Sequence, residues 1–446
     1  MRPRARDDAV MPFRSGPIAC SRFAVTGDAP DSPDDSTFAT LAKHQLRPPS
    51  VGEPPEILSG FCTGRHVFDA NFTYEACGFG PAVLAAMRID LAKVPGEIKR
   101  AYRTMAEDER RAKEPDGSAP GLSRAARLEA KAEADERCRR DLAEGRFRSS
   151  RLVPFLWDLP SGTLLAPITS DAKRKELAAL FDAAFSLRLE SRGAGAAARE
   201  ELGRRGEETL VIDATPEGVS PPPAGAESER PPVPWAFAGG DLADFLGNQF
   251  LLWLWWKSDV DEGLVELEDG TAVDFRLEKT LDMECAWGVT GRQSLRGEAV
   301  TRLPEAAKAL QGGKWPRKMG VLLAAHGQEF RATLQGDRMS VSGLVLPEPP
   351  EAPEGLAAKG LSPRQLLEER IDATLTFDRI HRGLYAKFLA ERFARGWPSR
   401  HAAMRDWAAR LLSRAVPAGP VSPVAPVSMV ETKAGAGTLE PAVQAR

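Results

Sequence analysis

Twelve consecutive residues, FLGNQFLLWLWW from Phe245 to Trp256, carry no charge and only two polar side chains. Such a run is too short for a bilayer span, which needs about 18–20 apolar residues. It suits an element buried on every side, so a sizeable core must be assembled around it. Trp253, Trp255 and Trp256 read as core or interface residues rather than stacking platforms for bases. The wider composition supplies that core: of 446 residues, 42% are hydrophobic and 28% charged, as in soluble globular proteins. No run elsewhere is long enough to span a membrane.

Formal net charge is -3, which excludes a uniformly basic polyanion binder but leaves room for one basic surface. Cys20, Cys62, Cys77, Cys138 and Cys285 are odd in number and show no CxxC spacing. They read as reduced thiols of a cytoplasmic protein, with neither a disulfide framework nor a zinc site. MRPRARDDAV has no apolar stretch behind it and is not a secretory signal. Residues 1–10 read as a disordered leader, with Met1 and Met11 both open as the start.

Composition divides the chain. Residues 11–190 read as an N-terminal α/β region, with strands at Phe13–Val25, RHVFD and AVLAAMRIDL, and Ser36 opening a helix before FATLAKHQL. A helix follows the proline of KVPGE, and another begins near Ser123. RLVPFLWD and TLLAPI form a hairpin around LPSG. Residues 191–241, rich in Pro and Gly, read as a linker or disordered insertion containing one strand, TLVIDA. Residues 242–350 form a second α+β region: Asp269-Gly270 turns the hairpin LVELEDGTAVDFRLEK, and three further strands follow. Residues 351–416 are helical, with helices from Arg364 to about Ala394 and from Ser399 to Ala415. Residues 417–446 read as a disordered tail.

Two basic segments are candidate polyanion sites. From Lys93 to Arg151 there are 16 Lys/Arg against 12 Asp/Glu, and from Arg137 to Arg151 six against two. Arg124, Arg127 and Lys131 share one helical face, whereas Arg137 and Arg140 project elsewhere. Gly145 ends the helix and leaves Arg146, Phe147 and Arg148 on a loop. A solvated helix face and a phosphate-contacting edge both fit this pattern. In GGKWPRKMG, Lys314, Arg317 and Lys318 surround Trp315, which fits either a phosphate-approaching loop or a plain loop over a packed tryptophan. The acids Asp259, Asp261, Glu262 and Asp274 are the only hint of a Mg²⁺ nuclease and sit at hairpin flanks, where solvation explains them. GFGPA lacks the glycines of a dinucleotide fingerprint, and no phosphate loop, nucleophile elbow or metal-spaced histidine set occurs. The expectation is a non-enzymatic protein with no cofactor and no bound metal.

Several stretches, in order along the chain, resemble RdgC, the family of recombination-associated DNA-binding proteins. They are FATLAKHQLRP, the Gly60-Phe61 pair, LAAMRIDLAKVPGEIKRAY, the Arg/Lys helix followed by Phe147 and by LWDLPSG, and LRGEAVTRLPEAAKALQGGKWPRKMGVLL. The resemblance covers roughly residues 11–190 and 245–350. It implies an α+β protein with mixed sheets and long helices, a crescent-shaped subunit pairing into a ring homodimer around double-stranded DNA. It further implies sequence-independent DNA binding, restraint of a RecA-type recombinase, and a cytoplasmic, nucleoid-associated protein. By position, Phe147 matches the ring-gate aromatic, Lys99 a first-helix lysine, and Arg296, Lys314 and Lys318 basic positions of the second half. A further family lysine falls on Ala299. With the two basic segments, the expected DNA contacts are Lys99, Arg100, Arg124, Arg127, Lys131, Arg146, Phe147, Arg148, Arg296, Lys314, Arg317 and Lys318. The competing classes are a metal-dependent nuclease using Asp259, Asp261 and Asp274, and a structural or interaction protein without DNA affinity.

Overall fold

A computed structural model of the chain describes residues 12–47, 57–112, 122–238, 241–348 and 360–414. The expected leader at 1–10, the start at Met11 and the tail at 417–446 lie outside these residues. The first half runs β1 (Ile18–Thr26), α1 (Asp35–Lys43), β2 (Ile57–Cys62), α2 (Tyr74–Cys77), β3 (Gly78–Phe79), β4 (Ala82–Ala92), α3 (Gly96–Arg111), α4 (Arg124–Ala143), β5 (Arg148–Asp158), β6 (Thr163–Ala166), α5 (Asp171–Phe185) and β7 (Arg188–Ser191). Then come α6 (Ala194–Gly203), α7 (Thr209–Ile212), α8 (Pro234–Ala238) and α9 (Phe245–Val260). The remainder is β8 (Leu264–Glu266), β9 (Ala272–Cys285), β10 (Gln293–Gly297), α10 (Pro304–Gln311), β11 (Lys314–Ala325), β12 (Gln328–Gln335), β13 (Ser340–Val345), α11 (Pro363–Arg392) and α12 (Trp397–Arg414).

The architecture is α+β, and the strands join into one sheet in the order β10-β9-β11-β12-β13-β1-β6-β5-β4-β2. The expected mixed sheets are a correction: every pair of strands is antiparallel, since neighbours are joined by hairpins or return from the far edge. β1 is the hinge of this order. Its first residues pair with β13 (Ile18 with Leu344, Cys20 with Val341), and Ser21–Ala24 pair with β6. The N-terminal and C-terminal regions therefore share one sheet.

Two cores follow from strand alternation. On one face of the N-terminal strands, Val83, Met87, Phe155 and Trp157 pack under α1 and α5, where Phe61, Phe155, Trp157 and Phe181 meet edge to face. The opposite-facing Ala82, Leu84, Leu156 and Leu165 join a larger core built around α9. Phe245 to Trp256 are all buried, as the uncharged run required. Gly247 lets α9 approach the turn after β12, because a Cβ there would lie 2.0 Å from the Gly336 carbonyl oxygen. α11 and α12 close the far side, Trp255 packing edge-on against Trp407. All five cysteines are buried free thiols.

Three local expectations need correction. Residues 192–238 are not a linker: α6, α7 and α8 lie there, and Ala198, Leu202, Val211, Val219, Val233 and Trp235 are buried in the larger core. Prolines deny this segment strands and long helices, but its apolar residues are still drawn out of water. TLVIDA is accordingly a single helical turn, α7. RHVFD is a loop; the strand before it is β2. At α1, Asp34 rather than Ser36 caps the helix, accepting from the Thr37 N–H at 2.8 Å. Among the described residues no helix is long and apolar enough to cross a membrane.

Candidate nucleic-acid interface

The β4–β5 ladder ends at Ala92 paired with Arg148, and between them the chain leaves the sheet as a helical arm. Pro95 starts α3 and Ser123 caps α4, its hydroxyl accepting from the Ala126 N–H at 3.1 Å. The two helices run antiparallel. Arg110 near the end of α3 meets Glu133 midway along α4 at 2.6 Å, and the hydroxyl of Tyr102, nearer the start of α3, donates to Asp141 near the end of α4 at 2.5 Å. Ala130, Ala134 and Cys138, spaced by four, form the buried seam against Ala106. Asp141 is buried at the base, where it also accepts from Arg146 at 3.2 Å, and its hydrogen bond pushes the Tyr102 phenol up. Small seam residues let the helices touch and leave most of the arm's long charged side chains exposed.

That seam sorts the arm's cations. Arg100, Arg103, Arg110, Arg111, Arg139 and Arg146 are held by carboxylates within the arm. Arg137 lies 5.2 Å over the Tyr102 ring. Lys93, Lys99, Arg124, Arg127, Lys131, Arg140, Arg148 and Arg151 are exposed and have no carboxylate partner among the described residues. Of the expected arm contacts, Lys99, Arg124, Arg127, Lys131 and Arg148 are therefore available, and Arg100 and Arg146 are engaged. Phe147 is a correction in part. It is half-buried at a left-handed turn (φ 58°), its carbonyl accepting from the Lys93 N–H at 3.4 Å, and Arg148 already belongs to β5.

The second cluster does not assemble as a basic site. Arg317 is clamped between Glu284 (2.8 Å) and Asp337 (2.7 Å), with Trp235 5.1 Å beneath it. These two carboxylates hold its ionisation above the ordinary arginine range against the opposing pull of burial. Arg296 pairs with Asp282 at 3.0 Å and Lys314 donates to Gln293 at 3.1 Å, so only Lys318 stands exposed without such a partner. The amides of Gly312 and Gly313 close the end of α10 on Lys308 and Leu310, and Trp315 is fully buried. The phosphate-approaching loop is thus a plain loop over a packed tryptophan. In the strand order β11 and β5 are five steps apart, roughly 24 Å at the usual spacing.

One aromatic carries no signal in the sequence. Phe68, in the loop whose pattern imitates a strand, is 77% exposed, with the Arg88 guanidinium 5.1 Å from its ring centre and Arg65 nearby in sequence, 66% exposed. Arg88 pairs across the sheet with Leu152, and four residues along, Ala92 pairs with Arg148. Phe68 and Arg148 therefore flank one sheet face, roughly 14 Å apart along the strands. Two of the acids considered for Mg²⁺ are otherwise occupied: Asp259 accepts from the Trp407 indole at 2.9 Å, and Asp261 pairs with Lys257 at 2.7 Å. Among the described residues no three His, Cys, Asp or Glu side chains form a metal-sized group. No family model matches the chain, and no curated protein matches it.

Proposed function

We propose that this protein binds double-stranded DNA without sequence preference, through the projecting arm formed by α3 and α4. The observation that carries the reading is the arm's set of exposed Lys and Arg with no carboxylate partner among the described residues, Arg124, Arg127 and Lys131 lying on one face. Uncompensated cations on a projecting element exchange condensed counterions for phosphates, whatever the base sequence. Phe68 adds an exposed ring beside the base of the arm, next to Arg88, whose charge is already met by Asp90 at 2.6 Å. The RdgC resemblance extends this proposal to a ring homodimer that encircles duplex and restrains a RecA-type recombinase in the nucleoid.

The test is fluorescence anisotropy of random-sequence duplex across a salt series. The protein with Lys99, Arg124, Arg127 and Lys131 all changed to Ala is expected to bind every sequence more weakly by a similar factor. Its dependence of log K on log salt becomes shallower by up to about 0.9 for each phosphate it no longer neutralises. Equal affinity and equal slope for the two proteins at matched salt would refute the reading. Light scattering after size exclusion tests the dimer, expected at twice 48.3 kDa.

A further inference from the structure

We propose that the loop of residues 63–71 presents Phe68 as a stacking surface for an unpaired base, so that the protein binds duplex interrupted by an unpaired base more tightly than intact duplex. This rests on the DNA-binding reading and adds a substrate preference to it. Phe68 is 77% exposed, on a loop with little freedom to withdraw it.

The loop is closed by its own hydrogen bonds. The Thr63 N–H donates to the Asp69 carbonyl at 2.9 Å and the Asp69 N–H to the His66 carbonyl at 3.1 Å. The Phe68 N–H donates to His66 Nδ1 at 3.2 Å, and the Asn71 N–H to the Asp69 carboxylate at 3.1 Å. From β4, Arg88 donates to the Val67 carbonyl at 3.0 Å while holding Asp90 at 2.6 and 2.8 Å. Gly64 turns the chain at φ 80° close to the sheet, where a Cβ would stand 3.3 Å from the Ala86 methyl. A loop fixed at its ends and its middle has little conformational entropy left to lose when its ring is covered.

The surroundings of the ring select the partner. The next aromatics along the chain are used internally: Phe72 packs against the N-terminal core, and the Tyr74 ring meets Phe38 edge-on at 6.2 Å. A docking patch for another protein gathers several buried anchors, whereas Phe68 is flanked by the exposed polar side chains of Arg65 and His66 and lies over Arg88. Nor is the loop a phosphate contact in its own right. Arg65 stands 3.8 Å from Asp69 and Arg88 is paired with Asp90, so each cation has an acid beside it. What the loop offers is a π face, on which a base of any sequence can stack. In intact duplex every base is already stacked on its neighbours, and withdrawing one costs least where it is unpaired. The arm attracts phosphates, and Phe68 stands roughly 14 Å along the strands from Arg148. That is about four nucleotide steps of one DNA strand, so phosphate and base contacts can be made together.

Fluorescence anisotropy of the full chain with a random-sequence duplex, and with the same duplex carrying a single unpaired adenine, tests this. The parent protein is expected to bind the interrupted duplex at least about five-fold more tightly. Phe68→Ala is expected to abolish that preference, as is Phe68→Leu, which stays apolar but has no π face; Phe68→Trp is expected to keep it. None of the three changes the slope of log K against log salt, whereas the arm variant makes it shallower and leaves the preference in place. Equal parent affinity for the two DNAs, or a preference that survives Phe68→Ala, overturns the proposal and leaves duplex binding standing. A preference that survives Phe68→Leu also overturns it, because an apolar wedge would then suffice. Absence of binding to either DNA overturns this proposal and the DNA-binding reading together.

Discussion

The helices α9 and α4 are similar in length and opposite in construction. α9 is buried from Phe245 to Trp256, whereas α4 buries only Ala130, Ala134, Cys138 and Asp141 along one seam. A helix covered on every side contributes stability and cannot present charge. A helix held by a narrow stripe of small residues leaves most of its circumference free for Lys and Arg, at little cost to folding. If the proposed DNA binding holds, stability and polyanion binding belong to different helices, and substitutions should separate them.

The largest effect is expected in α9. Trp253→Ala removes a fully buried indole and strips the buried Glu391 of a 3.0 Å donor, so chemical denaturation should show a loss of about 3–5 kcal/mol or more. Asp378→Ala leaves Arg22 charged, buried and without its carboxylate, and should cost about 3–4 kcal/mol by the same measurement. Next comes Asp244, just before α9, which accepts from the Gly195 N–H at 2.9 Å at the start of α6. Burial pushes its carboxyl up to about 7 from an ordinary 3.8. A raised acid favours the folded state when protonated, so its contribution is complete below about pH 4 and lost as pH rises through 7. Asp244→Asn keeps the acceptor and removes the charge. Relative to the parent protein it should gain roughly 2–3 kcal/mol between pH 5 and pH 8, and parallel pH profiles would contradict this. The smallest stability effects belong to the arm and its base. Arg124→Ala, Arg127→Ala and Phe68→Ala should each shift folding free energy by less than about 0.5 kcal/mol, while each lowers duplex affinity at low salt. A melting shift comparable to that of Trp253→Ala would erase the distinction between the two helices.

What can be read from residues alone follows the same division. The uncharged run, the Asp269-Gly270 hairpin, the Ser123 cap and the Ser362-Pro363 start of α11 are local signals, and each stands where expected. Residues 192–238 pass for a linker because proline density reports the absence of regular structure, not the absence of burial. Arg317 passes for a free cation because Glu284 and Asp337, 33 and 20 residues away, neutralise it only in space. Phe68 is hidden by the alternation of RHVFD, which imitates a strand. The buried ion cluster in which Arg22 and Arg382 share Asp378 has no trace in the sequence, since Arg22 of β1 meets α11 only once the chain has closed on itself.

That closure has a consequence for how the protein is made. Cys20 finds its partner Val341 only after some 320 further residues have been synthesised. At 5–20 residues per second, the start of β1 waits roughly 15–65 s for the strand that covers it. Until then its open edge is available to other chains, so a newly made molecule has a period of exposure that the finished one never revisits.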